Sequence, residues 1–426
     1  MHANPGRRST RRSRGMVLMM LRGLLISAAL AALPAVAAAQ TAAPTARELS
    51  RVDRILRATP LIDGHNDLPW AIRDDHNHDL DSVDLNSDTR QLTPPLHTDM
   101  ARLRQGRVGG QFWSVYVPAS MRGAEATVAV MEQIDLTRRI IARYSDRLEY
   151  AESADDIVRI HRRGKIASMF GMEGGEAIAG NLAVLREFRE AGVLYMTLTH
   201  GLTTEWADSA TDAPRHGGLS PFGEEVIREM NRIGMLVDLS HVSAETMHDA
   251  LNVSTAPVIF SHSSAYALTT HPRNVPDDVL ARMRENGGVV MVNFYPGFTS
   301  EEVRTWSSRR AAEDARLKAL NPGNAQAVAD GLAAWANANP RPEIGIGVIA
   351  DHIEHIGRVA GREHVGLGSD YDGVPFLPVG LEGVETYPAL LVELMRRGWS
   401  DREIAGVAGG NVLRALRQAE RVAARS

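Results

Sequence analysis

The sequence predicts a (β/α)8, TIM-like barrel with an insertion after its seventh strand. Two patterns predict it. Eight short apolar runs, at 60–65, 111–117, 166–172, 194–199, 235–240, 258–261, 289–294 and 365–369, alternate with amphipathic segments. Strand after strand then ends in His, Asp or Glu, and a barrel carries its active site on that rim. An open doubly wound sheet is the competing architecture. It is disfavoured because no glycine-rich phosphate loop follows the first run.

The helical patterns cover 124–144, 183–191, 221–233, 244–251, 277–285 and 348–360. Gly234, Gly287 and Gly361 stand where helices should stop, because glycine adopts the left-handed conformation that ends them. Two stretches break the rhythm. Residues 71–108 read as a polar, loop-like connection. Residues 296–343 read as an inserted helical subregion with Ala- and Asn-rich segments. Both follow strands, so both face the catalytic rim and are candidates for shaping a pocket. A plain surface excursion is the other reading of 296–343. One domain is expected over 40–420.

Composition narrows the chemistry. The chain has 426 residues, is 44% hydrophobic and 23% charged, and carries a net charge of −5. No basic domain stands out, which argues against a nucleic-acid partner. There is no cysteine, so disulfides, thiolate metal ligands and a Cys nucleophile are excluded.

The first 39 residues read as a cleavable signal peptide. Six arginines without acids precede or enter an apolar run that ends in Ala37-Ala38-Ala39. Arg11-Arg12 raises a twin-arginine route, although Arg14-Gly15 sit where that signal prefers apolar residues. Met16 is an alternative start. Cleavage leaves an acidic chain with no second apolar stretch of spanning length. The expectation is export to a bacterial periplasm or the exterior, with no stable membrane anchor.

The strand ends carry the chemistry. The first ends in Asp63-Gly64-His65-Asn66-Asp67, where His65 and Asp67 share a face of an extended strand. The third ends in Glu173-Gly174-Gly175, and the fourth in His200. The fifth ends in His241, the sixth in His262 and the eighth in Asp370. Any one of them reads alone as a structural histidine or a helix cap; six of eight strands doing so points to a metal site. Imidazole and carboxylate suit two zinc ions, with Glu173 as bridge. A carboxylated lysine bridge is disfavoured, since Lys165 precedes the third strand and Lys318 lies in the insertion. The other histidines, from His76 to His364, fall in loops, helices or strand starts and read as structural; His271 draws notice only for lying near Arg273.

Asp-Gly-His-Asn-Asp-Leu-Pro-Trp (63–70), Glu-Gly-Gly (173–175), Thr-Leu-Thr-His (197–200), Asp-Leu-Ser-His (238–241), Ser-His-Ser (261–263), His-Pro-Arg-Asn-Val-Pro-Asp-Asp (271–278), Gly-Ser-Asp-Tyr-Asp-Gly (368–373) and Gly-Gly-Asn-Val-Leu-Arg (409–414) occur in that order. Together they strongly resemble the membrane (renal) dipeptidase family of zinc peptidases, over residues 61–416. The resemblance implies a binuclear zinc barrel that hydrolyses dipeptides, often tolerating a D-residue at the C-terminal position, and commonly a homodimer. It implies His65, Asp67, Glu173, His241 and His262 as zinc ligands. It implies His200 and Arg273 as substrate-binding residues, and Asp370 as the acid beside the nucleophilic water. The chain departs from the animal enzymes in lacking cysteine and an apolar C-terminal tail, and its insertion looks longer.

The expected mechanism uses a hydroxide bridging the two zincs. His200 donates to the tetrahedral oxyanion, Asp370 relays the proton, and Arg273 clamps the substrate's free carboxylate. Trp70 is placed either in the pocket or in the core. The nearest rival is a zinc amidohydrolase acting on another amide, an N-acyl amino acid, a lactone or a β-lactam. An exported solute-binding protein is the rival from another class.

Overall fold

A computed structural model describes residues 42–425; the signal-peptide expectation for 1–39 lies outside them. Nine strands run parallel: β1 Leu61–Asn66, β2 Val108–Tyr116, β3 Leu148–Tyr150, β4 Ile166–Glu173, β5 Val193–Thr197, β6 Leu236–Asp238, β7 Ile259–Phe260, β8 Val289–Val292 and β9 Val365–Leu367. They lie in the order β2-β1-β9-β8-β7-β6-β5-β4-β3, and β2 also pairs with β4. That pairing closes eight of them into the expected (β/α)8 barrel. The ninth, β3, was not expected. It pairs with Ile166, Ala167 and Ser168 of β4, on the side that β5 takes over from Phe170 onward. At three residues it is too short to carry a readable alternation.

The helices fall close to the expected segments. The helix Pro221–Ile233 ends on Gly234 (φ 71°), and Asp277–Asn286 ends on Gly287 (φ 81°). The segment 71–108 is more ordered than its polarity suggests. It holds most of the helix Leu68–Asp75, the short helix Met100–Gln105, and the buried Leu80, Val83, Leu85 and Leu96. Its polar residues are structural: Asp99 caps Met100–Gln105 and holds buried Arg102 at 2.6 Å. The insertion is helical, with Pro296–Thr299, Glu301–Leu320 and Ala325–Ala338. Among the described residues no helix is long and apolar enough to cross a membrane.

The strands β6, β7 and β9 stop sooner at the rim than expected, and two buried aspartates explain why. Asp63 Oδ1 accepts from the Ser369 amide at 2.8 Å, and its Oδ2 from the Ser369 hydroxyl at 2.8 Å. Asp238 Oδ1 accepts from the amides of Ser240 (3.1 Å) and Ser261 (2.8 Å). Carboxylates thus replace ladder carbonyls as acceptors at these strand ends, and the backbone turns away from the sheet with its polar groups satisfied. Inside the barrel, Ile62, Phe112, Met169, Leu194, Ile259 and Met291 are buried together with the C-terminal helix residues Val412 and Leu416. Gly171 makes room there. A Cβ on it would stand 2.1 Å from the Tyr195 ring, so only glycine lets that tyrosine lie inside the barrel.

Candidate active site

The strand ends deliver His65, Asp67, Glu173, His200, His241, His262 and Asp370 to one cleft of about 360 Å³ at the C-terminal rim; all but His65 line it. His65 sits beneath, its Nε2 3.2 Å from Asp67 Oδ2 and 3.3 Å from Glu173 Oε2. Glu173 Oε1 is 2.9 Å from His241 Nε2 and 3.3 Å from His262 Nε2, so the carboxylate stands between the histidines. Asp67 begins the helix Leu68–Asp75 but makes no side-chain cap bond, which leaves its carboxylate to the cleft. Three compact sets of donor atoms overlap: His65, Glu173 and His262; Glu173, His200 and His241; His65, Asp67 and Asp370. His262 groups with His65, His241 with His200, and Glu173 belongs to both sets.

The electrostatics ask for positive charge at this point. Burial opposes protonation of His65, yet the Glu173 and Asp67 carboxylates hold its pKa well above the usual value. Burial likewise opposes ionisation of Glu173, and the three histidines around it outweigh that, keeping it well below the usual range. Burial keeps His241 and His262 neutral, with Arg273 and neighbouring histidines adding to the effect. Asp370 is pushed up to about 7 by burial, reinforced by Asp67 and Glu173.

Hydrogen bonds behind the histidines fix which nitrogen faces the cleft. The Tyr195 hydroxyl donates to the Gly64 carbonyl at 3.0 Å, so it accepts from His65 Nδ1, also at 3.0 Å. The Ser261 hydroxyl donates to Asp238 Oδ2 at 2.6 Å and accepts from His262 Nδ1 at 2.8 Å. These bonds place a proton on Nδ1 of both rings, so Nε2 faces the carboxylates; His262, kept neutral, presents a lone pair there, and His65 would present one once a cation at the carboxylates displaces its second proton. The donor set therefore fits metal ions: buried imidazole nitrogens and carboxylate oxygens converge, and His65 Nε2 has no hydrogen-bond partner.

Two barrel strands, β2 and β8, end without a metal-type residue, and the residues they supply were not expected. Ser114 donates to Glu173 Oε2 at 3.3 Å, and Tyr116 lines the cleft with its ring 4.8 Å from His200. Asn293 donates to Asp370 Oδ2 at 2.8 Å while its own carbonyl accepts from the Tyr295 amide at 2.5 Å. Their signal was position alone, at the ends of barrel strands. Trp70 lines the cleft, 5.0 Å from Tyr116, so the pocket alternative holds for it. His241 (φ 71°) and Asp370 (φ 68°) both have left-handed backbone, which costs free energy in a non-glycine residue and clusters at functional sites.

Arg273 is buried against the site, with 2% exposure. It donates to the His262 carbonyl at 3.2 Å and to the Ser263 hydroxyl at 3.4 Å, and its guanidinium lies 5.3 Å from the Phe298 ring centroid. Burial lowers its pKa to about 10, so it stays charged at neutral pH. No carboxylate lies within ion-pair distance of it among the described residues, and its Nε is unpartnered. Outside the cleft, His352, His355 and His364 hold loops and helices together, as their structural reading expects. His271 packs its ring 4.6 Å from Phe298 and accepts from the Arg273 amide at 3.2 Å.

A closed parallel barrel with buried histidines and carboxylates converging at its C-terminal rim defines a metal-dependent hydrolase. Residues 49–426 match the membrane dipeptidase family, peptidase family M19, and the chain belongs to that family. It is a metallo-dipeptidase, a peptide-bond hydrolase. It is 41% identical over 385 residues to the dipeptidase verJ of Clonostachys rogersoniana, covering 88% of each chain. It is 42% identical over 380 residues to an uncharacterized dipeptidase of Schizosaccharomyces pombe, covering 86% of this chain and 82% of that one. In fold it is similar to the probable dipeptidase PvdM from Pseudomonas aeruginosa, with a TM-score of 0.73 and 22% identity over 88% of this chain and 99% of that one.

Proposed function

We propose that this chain is an exported, zinc-dependent dipeptidase that cleaves dipeptides with a free C-terminal carboxylate, including those ending in a D-residue. The observation that carries the substrate reading is Arg273. A buried, charged guanidinium without a carboxylate partner is costly unless a ligand supplies one. A bidentate pair with the substrate's C-terminal carboxylate meets that need. Anchored there, beside His262, such a clamp favours substrates that end one residue beyond the scissile bond.

Two zinc ions are the proposed metals, held by His65, Asp67, Glu173, His241 and His262 with Glu173 shared. When bound, such a pair supplies a water of lowered pKa and polarises the scissile carbonyl. The chain's own groups do the rest. His200, kept neutral by burial, donates a hydrogen bond to the oxyanion that develops as the water oxygen bonds to the carbonyl carbon. Asp370, oriented by Asn293, takes the proton released from the water. It returns that proton to the leaving nitrogen as the C–N bond breaks, giving two free amino acids. Trp70 and Tyr116 exclude solvent on one wall, Tyr295 and Phe298 on the other.

Export is proposed from the arginine-rich, apolar leader over 1–39, to the periplasm or the exterior. A homodimer is proposed from the family resemblance. Comparing a dipeptide with its C-terminal amide tests the substrate reading. Arg273→Ala should weaken kcat/KM on the free dipeptide by about 100-fold, as loss of a buried charged hydrogen-bond pair does, with little change on the amide. Equal losses on both would remove the carboxylate clamp, and faster turnover of N-acyl amino acids than of any dipeptide would favour the amidohydrolase alternative.

A further inference from the structure

We infer that the insertion over 296–343 makes this enzyme select dipeptides whose C-terminal residue carries a second carboxylate, through Arg310 and Arg341. The inference rests on the dipeptidase reading above and concerns the same cleft.

An unbroken aromatic wall leads from the carboxylate clamp to the insertion. Arg273 lies 5.3 Å from the Phe298 ring, and Phe298 is 4.9 Å from Tyr295. Tyr295 is 5.2 Å from Phe376, and the Arg341 guanidinium sits 3.8 Å over the Phe376 ring centroid. Tyr295 and Phe298 line the cleft, as do Val374 and Pro375 just before Phe376. A substrate held by its C-terminal carboxylate at Arg273 would have its C-terminal side chain beside this wall, whose far end carries the Arg341 guanidinium.

Tyr295 marks the boundary between two electrostatic regions. The charge of Asp370 reaches its phenol from the metal side, and those of Arg341 and Arg310 reach it from the insertion side; Ser307 on the helix Glu301–Leu320 also contacts it. Tyr295 thus feels both the acidic Asp370 of the cleft and the two arginines of the insertion.

The two arginines are also the insertion's uncommitted cations. Arg304 pairs with Glu301, Arg316 with Glu313 at 2.6 Å, and Lys318 with Asp314 at 2.6 Å. Arg309 donates to Asn339 Oδ1 at 3.0 Å and lies over Trp335. Arg310 and Arg341 meet no carboxylate within ion-pair distance among the described residues, and both are exposed. Stacking on Phe376 pre-orders the Arg341 fork, so less side-chain entropy is lost when it engages a carboxylate. An aspartate or glutamate side chain at the substrate's C-terminal position supplies that group.

The test is a kcat/KM comparison on metal-loaded enzyme with L-Ala-L-Glu, L-Ala-L-Gln, L-Ala-D-Glu, L-Ala-D-Gln and L-Ala-L-Ala. Glutamate and glutamine are nearly isosteric, so their ratio isolates the charge. The wild type should prefer Glu over Gln by about fivefold in at least one hand, as expected for exposed ion pairs. The preference should sit in KM and shrink with added salt. The double variant R310Q/R341Q should bring the ratio to about one. Because the readout is a ratio on one protein sample, partial misfolding of the variant cancels. A wild-type ratio of one or less in both hands, or a preference that survives the double variant, overturns the inference while leaving L-Ala-L-Ala turnover as evidence for the dipeptidase. No turnover on any of the five overturns both.

Discussion

The Nε2 atoms of His241 and His262 face each other across 2.9 Å, with Glu173 Oε1 2.9 Å from the first and 3.3 Å from the second. His262 spends its only proton on Ser261, so its lone pair points at an acceptor-rich centre. A cation there would be coordinated by both nitrogens and by the Glu173 carboxylate. His241→Ala and His262→Ala should therefore lose bound metal and turnover together. Metal per chain, measured by elemental analysis beside kcat, checks this; a variant that keeps full metal content and is merely slow would remove that histidine from the ligand set.

Asp238 acts on the same centre from a distance. It holds the Ser261 hydroxyl, which holds His262 Nδ1, and it also accepts from Thr197 at 2.5 Å. Asp238→Asn should weaken metal affinity roughly 10- to 100-fold, as loss of such outer partners does. Chelator competition reads the affinity. Turnover at saturating metal should recover most of the wild-type rate, which a collapsed fold would not allow.

Asp370→Asn should keep the metal and lose turnover by at least about 100-fold, the usual scale of acid–base catalysis. Its carboxyl is raised to about 7 by burial and the neighbouring carboxylates. Ionisation is needed to accept the water's proton, so wild-type kcat/KM should fall as pH drops through the acidic limb. Cations bound at Asp67 and Glu173 favour ionisation and move that limb lower. Wild-type turnover in D370N would exclude Asp370 from the proton transfer.

Glu176 offers a stability test away from the ligands. It is 5% exposed, neither oxygen meets a partner on another residue, and burial pushes its pKa up to about 7. In the unfolded chain it ionises near 4.5. Between those values the unfolded state releases a proton that the folded state keeps. The penalty is absent below pH 4.5, grows with pH, and is complete above 7 at about 3 kcal/mol. Glu176→Gln should raise the melting temperature at pH 8 and change it little at pH 4. An equal shift at both pH values would contradict the assignment.

Much of the site was legible because metal chemistry admits few side chains. His65, Asp67, Glu173, His200, His241, His262 and Asp370 stand at strand ends, where short apolar runs stop, and that position carries meaning in a barrel. What was hidden is of a different kind. Tyr195 looks like an ordinary strand residue; its role depends on Gly171 vacating the barrel interior. Ser261 and Asn293 act through hydrogen bonds between strands distant in sequence, which no local pattern encodes. The shortened strands β6, β7 and β9 follow from Asp63 and Asp238 capturing backbone amides at their own and neighbouring strand ends. The order in 71–108 was obscured because capping and paired residues such as Asp99 and Arg102 read as solvated loop.

The decisive measurement is hydrolysis of a small L,L and L,D dipeptide panel, with metal counted per chain before and after chelation. Turnover should disappear on chelation and return on reloading, with about two zinc ions per active chain. Dipeptide turnover undiminished in fully metal-free protein would contradict metal-dependent hydrolysis.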